Sequence, residues 1–134
     1  MTIELFKEKE FFIVDTSGFW SDFSYCSLTS TGCKIKKYTS YKYLKVTLNK
    51  FKEKPDLIII GCSKPNIEEI ELVEFLHHNN FRQIVLCSFL SWDEMRELFL
   101  AGADDVTEKP FDSEELIETI KESLNNMELC GAIR

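Results

Sequence analysis

Polar and small residues directly follow several short apolar runs of this sequence. If these runs are strands of a parallel sheet, such residues lie at the carboxyl ends of the strands, where the functional groups of this kind of sheet cluster. They are Asp15 and Thr16, Gly61, Ser88 and Lys109. A lysine held there without a counter-charge would be costly, and a nearby carboxylate removes that cost. The sequence therefore predicts an ion pair between Asp15 and Lys109. Two simpler interpretations stay open: Asp15 could cap the helix that follows it, and Lys109 could be a solvated lysine.

Metal and thiol chemistry have weaker support in the sequence. His77 and His78 are adjacent, so on a helix they would point about 100° apart and could not chelate one ion together. No other cluster has metal-ligand spacing, and Asp15 alone would be a weak ligand, so we expect no metal site. A thiol at Cys62 beside the Lys109 ammonium would be activated. A half-buried, unreactive loop cysteine is the favoured interpretation.

The composition is that of one globular domain. The 134 residues can bury a proper core as a single domain, which we place at about residues 10–127. The net charge of −7 disfavours DNA or an anionic membrane as a direct partner, although it does not exclude a local basic patch. No apolar run approaches the roughly 18 residues of a membrane span, and no signal peptide is visible. Five cysteines without a CxxC pair are expected to be free or buried thiols in a reducing cytoplasm.

Short apolar runs typical of strands alternate five times with segments of helical character. The runs are Phe11–Val14, Cys33–Tyr38, Leu57–Ile60, Ile84–Cys87 and the residues around Val106. Alternating lysines in the second run favour an edge strand, and the uniformly apolar third run predicts the central strand. Residues 1–9 are interpreted as a polar lead. Because right-handed crossovers leave few other packings, the pattern predicts a doubly wound, flavodoxin-like α/β domain with helices on both faces of a parallel sheet.

Capping residues and apolar spacing mark the helices. Ser91 with Glu94 and Asp112 with Glu115 fit capping boxes, and Gly102 supplies the left-handed residue that a helix end favours. The remaining predictions concern which side chains face the core. For the first helix they are mostly Phe19, Trp20, Phe23 and Cys26, although Phe19, Trp20 and Phe23 could instead form an exposed aromatic patch. For the later helices they include Leu44, Leu48, Phe51, Leu72, Val73, Leu76, Met95, Leu98, Phe99, Leu116, Ile117, Ile120 and Leu124.

The segment LAGADDVTEKPF, residues 100–111, combines a glycine helix stop, a short strand and a Lys-Pro corner before the next helix. It resembles, almost residue for residue, the corresponding segment of response-regulator receiver domains of the CheY-like superfamily. The resemblance covers about residues 11–126 and implies a five-stranded sheet in the order 2-1-3-4-5. Receivers accept a phosphoryl group on an aspartate at the end of the third strand, and neighbouring acids hold Mg²⁺.

The resemblance also implies that the residues of this phosphorylation site are partly lost. The acceptor position, four residues before Pro65, is Gly61, which has no side chain to phosphorylate. Receivers carry two adjacent acids after the first strand; here the first is Asp15 and the second is Thr16. Two of the three metal-site acids are therefore missing.

Other positions of the site match receivers or alter them in smaller ways. Ser88 matches the hydroxyl residue that bonds the phosphoryl oxygen, although it could simply satisfy a strand end. Lys109 matches the lysine of the Lys-Pro corner. Val106 replaces the aromatic switch residue of the fifth strand, and Phe89 stands where receivers often have a small residue, so it is expected to narrow the site.

These substitutions predict a pseudo-receiver: a non-enzymatic, cytoplasmic signalling module without cofactor that binds a protein partner without being phosphorylated. The expected contact surface is the fourth helix, fifth strand and fifth helix; a homodimer is compatible, and neither nucleic acid nor membrane is expected. A phosphoryl-accepting regulator that uses Asp15 or Ser63 is an alternative, although acyl-phosphate chemistry needs a carboxylate beside a metal. A small-anion-binding domain that uses Lys109 is another.

Overall fold

The computed structural model describes residues 4–52, 54–110 and 112–133, with the backbone alone for residues 129–133, so Phe111 and the side chain of Cys130 lie outside the description. The strands are β1 (Glu10–Asp15), β2 (Lys34–Tyr38), β3 (Leu57–Cys62), β4 (Gln83–Cys87) and β5 (Asp105–Glu108). The helices are α1 (Gly18–Thr29), α2 (Tyr41–Phe51), α3 (Ile67–His78), α4 (Trp92–Ala101) and α5 (Ser113–Ile133), and a short 3-10 helix spans Glu4–Phe6.

All five strands are parallel and lie in the order β2-β1-β3-β4-β5, which confirms the predicted flavodoxin-like sheet. The central strand β3 is buried along its whole length, as its apolar run predicts, and the lysine-bearing β2 is an edge strand. Asp15 lies opposite Gly61 in the β1–β3 register, and Cys62 lies opposite Cys87 in the β3–β4 register. The carboxyl ends of the strands therefore meet at one edge of the sheet.

Alternating strand residues supply two hydrophobic cores, one on each face of the sheet, because successive side chains of a strand point to opposite faces. Phe12 and Val14 of β1 pack with Leu44 of α2 and Leu72 of α3. On the opposite face, Phe11, Ile13, Leu57 and Ile59 pack with Leu28 of α1 and with Leu116, Ile120 and Leu124 of α5. Both faces of the sheet are thus covered by helices, as a parallel sheet requires.

The buried face of α1 differs from the prediction. Phe19 is 84% exposed and Cys26 is exposed, whereas Trp20 is buried. The physical reason is the serine content of the helix: Ser21, Ser24 and Ser27 are buried, and the Ser27 hydroxyl lies 2.7 Å from that of Ser113 on α5. Small side chains let α1 approach α5 closely, which turns Trp20 toward the sheet and Phe19 toward solvent.

Helix and chain ends account for the other differences. Phe51 and Phe99 are exposed, contrary to prediction; Phe51 is the last residue of α2, and Phe99 lies in the last turn of α4. Lys52, in the left-handed conformation, is the C-cap of α2. The lead is not merely polar, since Phe6 is fully buried with its ring edge-on to Phe11 at 5.4 Å.

The predicted helix caps are present. Ser91 and Glu94 form a reciprocal capping box at the start of α4, and Asp112 accepts a hydrogen bond from the Glu115 backbone N–H at the start of α5. Gly102 ends α4 with φ +114°, a left-handed conformation that L side chains rarely adopt. Local sequence therefore sets these boundaries correctly.

Candidate functional site

Asp15 and Lys109 form the predicted ion pair at the carboxyl edge of the sheet. Lys109 Nζ lies 3.0 Å from Asp15 Oδ2, and the two side chains are 11% and 2% exposed. The Lys109 backbone N–H donates to the Cys87 carbonyl oxygen at 2.8 Å, which fixes the corner after β5 against β4. A solvated lysine is therefore excluded as an interpretation of Lys109.

The Asp15 carboxylate has two roles at once. Its Oδ1 accepts a hydrogen bond from the Ser17 backbone N–H at 2.7 Å, and Ser17 in turn is the N-cap of α1. Its Oδ2 is close to Lys109 but accepts no hydrogen bond among the described residues, so the attraction to the ammonium is ionic without hydrogen-bond geometry. The capping and pairing interpretations of Asp15 are thus compatible, because each uses a different oxygen.

Trp20, in the first turn of α1, completes the site and fills its centre. The Lys109 ammonium lies 4.8 Å from the centroid of the Trp20 ring, a cation–π contact at a side chain that is only 7% exposed. A Cβ atom at Gly61 would lie 2.9 Å from two carbons of that ring and would also collide with Asp15 Oδ2. Glycine at this position is therefore a packing requirement of the indole and the carboxylate.

Sequence reasoning missed this role of Trp20, which it assigned to the general core of the first helix. The signal in the sequence that could have indicated this role is that a small residue and a large one stand at two positions expected to be close together. The missing side chain at Gly61 leaves space at the sheet edge, and a large aromatic residue stands in the helix turn that follows β1.

Cys62 is a buried strand residue, so its interpretation as a half-buried loop cysteine is wrong. Strand β3 continues through Gly61 and Cys62, which keeps Cys62 in register with Cys87, and the two Sγ atoms lie 3.3 Å apart. Its hydrogen bond with Cys87, together with burial, raises the pKa of the Cys62 thiol far above its ordinary value. The opposing effect of Lys109 is weaker, so Cys62 is not an activated thiol.

The other matched positions surround this centre without entering it. Thr16 and Ser88 are exposed, and the Ser88 backbone N–H donates to the Cys62 carbonyl oxygen at 3.1 Å, as expected of a strand-end residue. Val106 is buried in β5 opposite Val85. Phe89 is exposed and lines a cleft of about 560 Å³ with Ser88, so Trp20 rather than Phe89 narrows the site.

In residues 4–52, 54–110 and 112–128, no group of three or more His, Cys, Asp or Glu side chains is arranged to hold a metal ion. The His77 and His78 rings stand edge to face with centroids 6.1 Å apart. No helix in the part of the chain that the structure describes is long and apolar enough to cross a membrane.

The comparison with solved structures identifies the fold. A CheY-like response regulator receiver domain protein from Methanospirillum hungatei JF-1 superposes with a TM-score of 0.77 at 24% identity, over 91% of this chain and 98% of its own. This chain has the receiver-domain fold. A response regulator from Thermotoga maritima matches with a TM-score of 0.76 at 20% identity, over 88% and 98% of the two chains. The chemotaxis response regulator CheY4 of Vibrio cholerae matches with a TM-score of 0.73 at 19% identity, over 87% and 99%.

Sequence comparisons add no relative to this structural likeness. No family model matches the chain, and no curated protein matches it. At the carboxyl edge of this fold, the chain places Asp15, Lys109 and Trp20 around Gly61.

Proposed function

We propose that this domain is a pseudo-receiver, a non-enzymatic protein-interaction module of a two-component-type signalling or regulatory pathway that acts without being phosphorylated. The observation that carries the proposal is the packing at Gly61. The acceptor position has no carboxylate, and the indole of Trp20 and the carboxylate of Asp15 occupy the space that one would need.

The charges at the site support the same conclusion. An acyl phosphate forms on a carboxylate, and Mg²⁺ requires several oxygen ligands in a near-octahedral shell. Asp15 is the one acid retained from the receiver metal site, and its Oδ2 faces Lys109 at 3.0 Å. The Lys109 ammonium at this distance repels a second cation, so Asp15 is a poor ligand for Mg²⁺.

The two alternative functions have less support. As an acceptor, Asp15 is buried and faces Lys109, and Ser63 is an exposed hydroxyl residue that would form a phosphate ester rather than an acyl phosphate. Anion binding would need an available positive charge, but the Lys109 ammonium is buried and already faces Asp15. Neither chemistry is favoured at this edge of the sheet.

We further propose that the partner contacts the face formed by α4, β5 and α5. This face carries a cleft of about 630 Å³ lined by Leu90, Met95, Thr107 and Thr119, among others, with Trp92 at its rim. The Trp92 side chain is 85% exposed, and tryptophan side chains are enriched among the residues that dominate protein interfaces. The free cysteines, including the buried Cys62 and Cys87, fit a reducing cytoplasmic setting.

Phosphorylation chemistry gives the direct test. The domain is incubated with acetyl phosphate and Mg²⁺, and separately with beryllofluoride and Mg²⁺, alongside a phosphorylatable receiver as positive control. We expect no added mass and no amide NMR shifts localised near Asp15, Gly61 and Lys109. A stoichiometric adduct that is stable in acid and labile in base would refute the proposal.

The partner face is tested by affinity capture from the source cell with quantitative mass spectrometry. Trp92→Ala should lose the specific partner. Phe19→Ala is the matched control, because Phe19 is an equally exposed aromatic residue, at 84%, on α1. Equal capture by both variants would show that the α4–β5–α5 face is not the contact surface.

A further inference from the structure

Charge is distributed very unevenly along this chain. Residues 34–54 contain eight lysines and one acid, Glu53, for a formal charge of +7; the rest has eight basic and 22 acidic residues, for a charge of −14. The segment contains the edge strand β2 and helix α2. We call residues 34–54 the basic edge.

The outer ridge of α2 concentrates this charge around an apolar residue. Leu44 and Leu48 bury the inner face of the helix, whereas Lys42, Val46 and Lys50 are exposed at i, i+4 and i+8, which places them in one row. The row spans about 12 Å at the rise of an α-helix. Val46 is 47% exposed, and within the described chain neither Lys42 nor Lys50 forms an ion pair.

Structural roles account for only part of the basic edge. Lysines on an edge strand discourage pairing with other chains, which explains those of β2, and Lys37 of β2 is paired with Asp22 at 2.7 Å. Helix α2 is not an edge strand, yet its three charged residues, Lys42, Lys45 and Lys50, are all lysines, and Lys52 follows as its C-cap. Lys50, in the last turn, complements the helix dipole, whereas Lys42 and Lys45, at i and i+3, repel each other and do not stabilise α2.

We propose that the basic edge binds an acidic segment of a partner protein, in which an apolar residue sits on Val46 and flanking carboxylates face Lys42 and Lys50. An amphipathic acidic helix has this chemistry, because i and i+4 positions share one of its faces. The surface lies apart from the α4–β5–α5 face. We base this inference on the protein-contact part of the proposed function and not on the absence of phosphorylation.

An acidic protein segment fits the basic edge better than a nucleic acid does. Single-strand binding typically uses exposed aromatic rings that stack on bases; of the two exposed rings in the described basic edge, Tyr43 contacts the Tyr38 ring and Phe51 lies 5.6 Å from the Lys50 ammonium. The segment has no arginine, the residue best suited to bidentate phosphate contacts. The charge of −14 elsewhere would also repel a long polyanion that extends past the edge.

Acidic residues of α3 border the basic edge on one side. Glu68 and Glu71 line a cleft of about 400 Å³ together with Lys42 and Lys45. Lys45 leans toward α3, where its ammonium lies 5.6 Å from the Phe75 ring centroid. The partner's carboxylates are therefore expected on the solvent side of α2, away from α3.

The probe is a 15-residue helical peptide with one leucine flanked by glutamates at four-residue spacing, titrated into the labelled domain at low salt. Amide NMR shifts should be confined to the basic edge. Lys42→Glu/Lys50→Glu should weaken binding about tenfold or more, and added salt should weaken it as well. The control Lys7→Glu/Lys64→Glu makes the same change in net charge at two exposed lysines outside the edge and should leave the affinity nearly unchanged.

Val46→Ser separates a specific contact from general charge attraction. It should weaken the peptide several-fold at every salt concentration, since the apolar contact carries no charge. All five substituted residues are exposed, and the amide spectrum of each variant verifies that it is folded.

Four results would overturn the inference: equal weakening by both charge-reversal pairs, shifts spread outside the basic edge, tighter binding of a single-stranded oligonucleotide of matched charge, or self-association that the Lys42→Glu/Lys50→Glu variant abolishes. The last two would assign the surface to nucleic acid or to a second copy of the chain. None depends on whether acetyl phosphate modifies the domain, so a failure here is distinguishable from a failure of the pseudo-receiver proposal.

Discussion

Asp15→Asn should destabilise this domain by leaving Lys109 without its counter-charge. Asparagine keeps the size of the side chain and an oxygen for the Ser17 backbone N–H, so the turn before α1 is retained. The Lys109 ammonium, 11% exposed, would then keep only the Trp20 ring at 4.8 Å as a compensating neighbour. The perturbation is therefore close to a pure removal of charge.

The magnitude follows from the burial of the pair. Removing one partner of a buried ion pair costs about 3–5 kcal/mol. The desolvated cation–π contact, worth roughly 1–2 kcal/mol, survives, and the lysine stem lets the ammonium move toward water. We therefore expect a loss of about 2–3 kcal/mol in the free energy of unfolding. With a urea m-value of about 1.5 kcal/mol/M, the midpoint should fall by roughly 1–2 M.

A double-mutant cycle over Asp15→Asn and Lys109→Met, measured by urea unfolding, isolates the pair from its surroundings. We expect a coupling energy of about 2 kcal/mol. Asp22 and Lys37 give a matched control, because their ion pair is shorter, at 2.7 Å, but 71% and 38% exposed. Their coupling, from Asp22→Asn and Lys37→Met, should be much smaller, because solvent screens an exposed pair.

A coupling between Asp15 and Lys109 no larger than that of the exposed control pair would refute the reasoning. It would mean that burial does not strengthen this interaction.

Three further predictions concern packing, thiols and pH. Gly61→Ala should lower the free energy of unfolding in urea by about 1–3 kcal/mol, because its Cβ would press on the Trp20 ring. Gly61→Asp should cost more and give at most a weak response to beryllofluoride. Adding Trp20→Ala to the Gly61→Asp variant should recover part of the lost stability. If Gly61→Ala is as stable as the parent, the space is not filled as described. Exposed Cys26 should react quickly with a thiol reagent and buried Cys62 only on unfolding, as peptide mass spectrometry can show; equal rates would contradict the burial of Cys62. The Ser91 backbone N–H donates to the Glu94 carboxylate and holds the pKa of Glu94 below its ordinary value. The contribution of this carboxylate to stability is therefore present above the ordinary pKa and is lost as the pH falls through the folded pKa. Glu94→Gln should reduce the loss of unfolding free energy at acid pH, and an unchanged loss would argue against the cap.

The sequence alone determined the architecture, because the relevant signals are local or periodic. An uninterrupted apolar run such as Leu57–Ile60 requires burial on both faces, and that burial makes it the central strand. Capping side chains such as Ser91 act within one helix turn, so the start of α4 is set by its own residues. The pairing of Asp15 with Lys109 was also predictable, since parallel strands bring their carboxyl ends to one edge.

Only the tertiary structure decided what fills the centre of the site. Whether Phe19 or Trp20 turns inward depends on how closely α1 approaches α5, and residues far apart in the chain, such as Ser27 and Ser113, set that distance. The contact between Cys62 and Cys87 likewise depends on how far β3 continues in register with its neighbour. Close packing of several elements against one another is a non-local property, so the spacing of residues along the chain could not specify it.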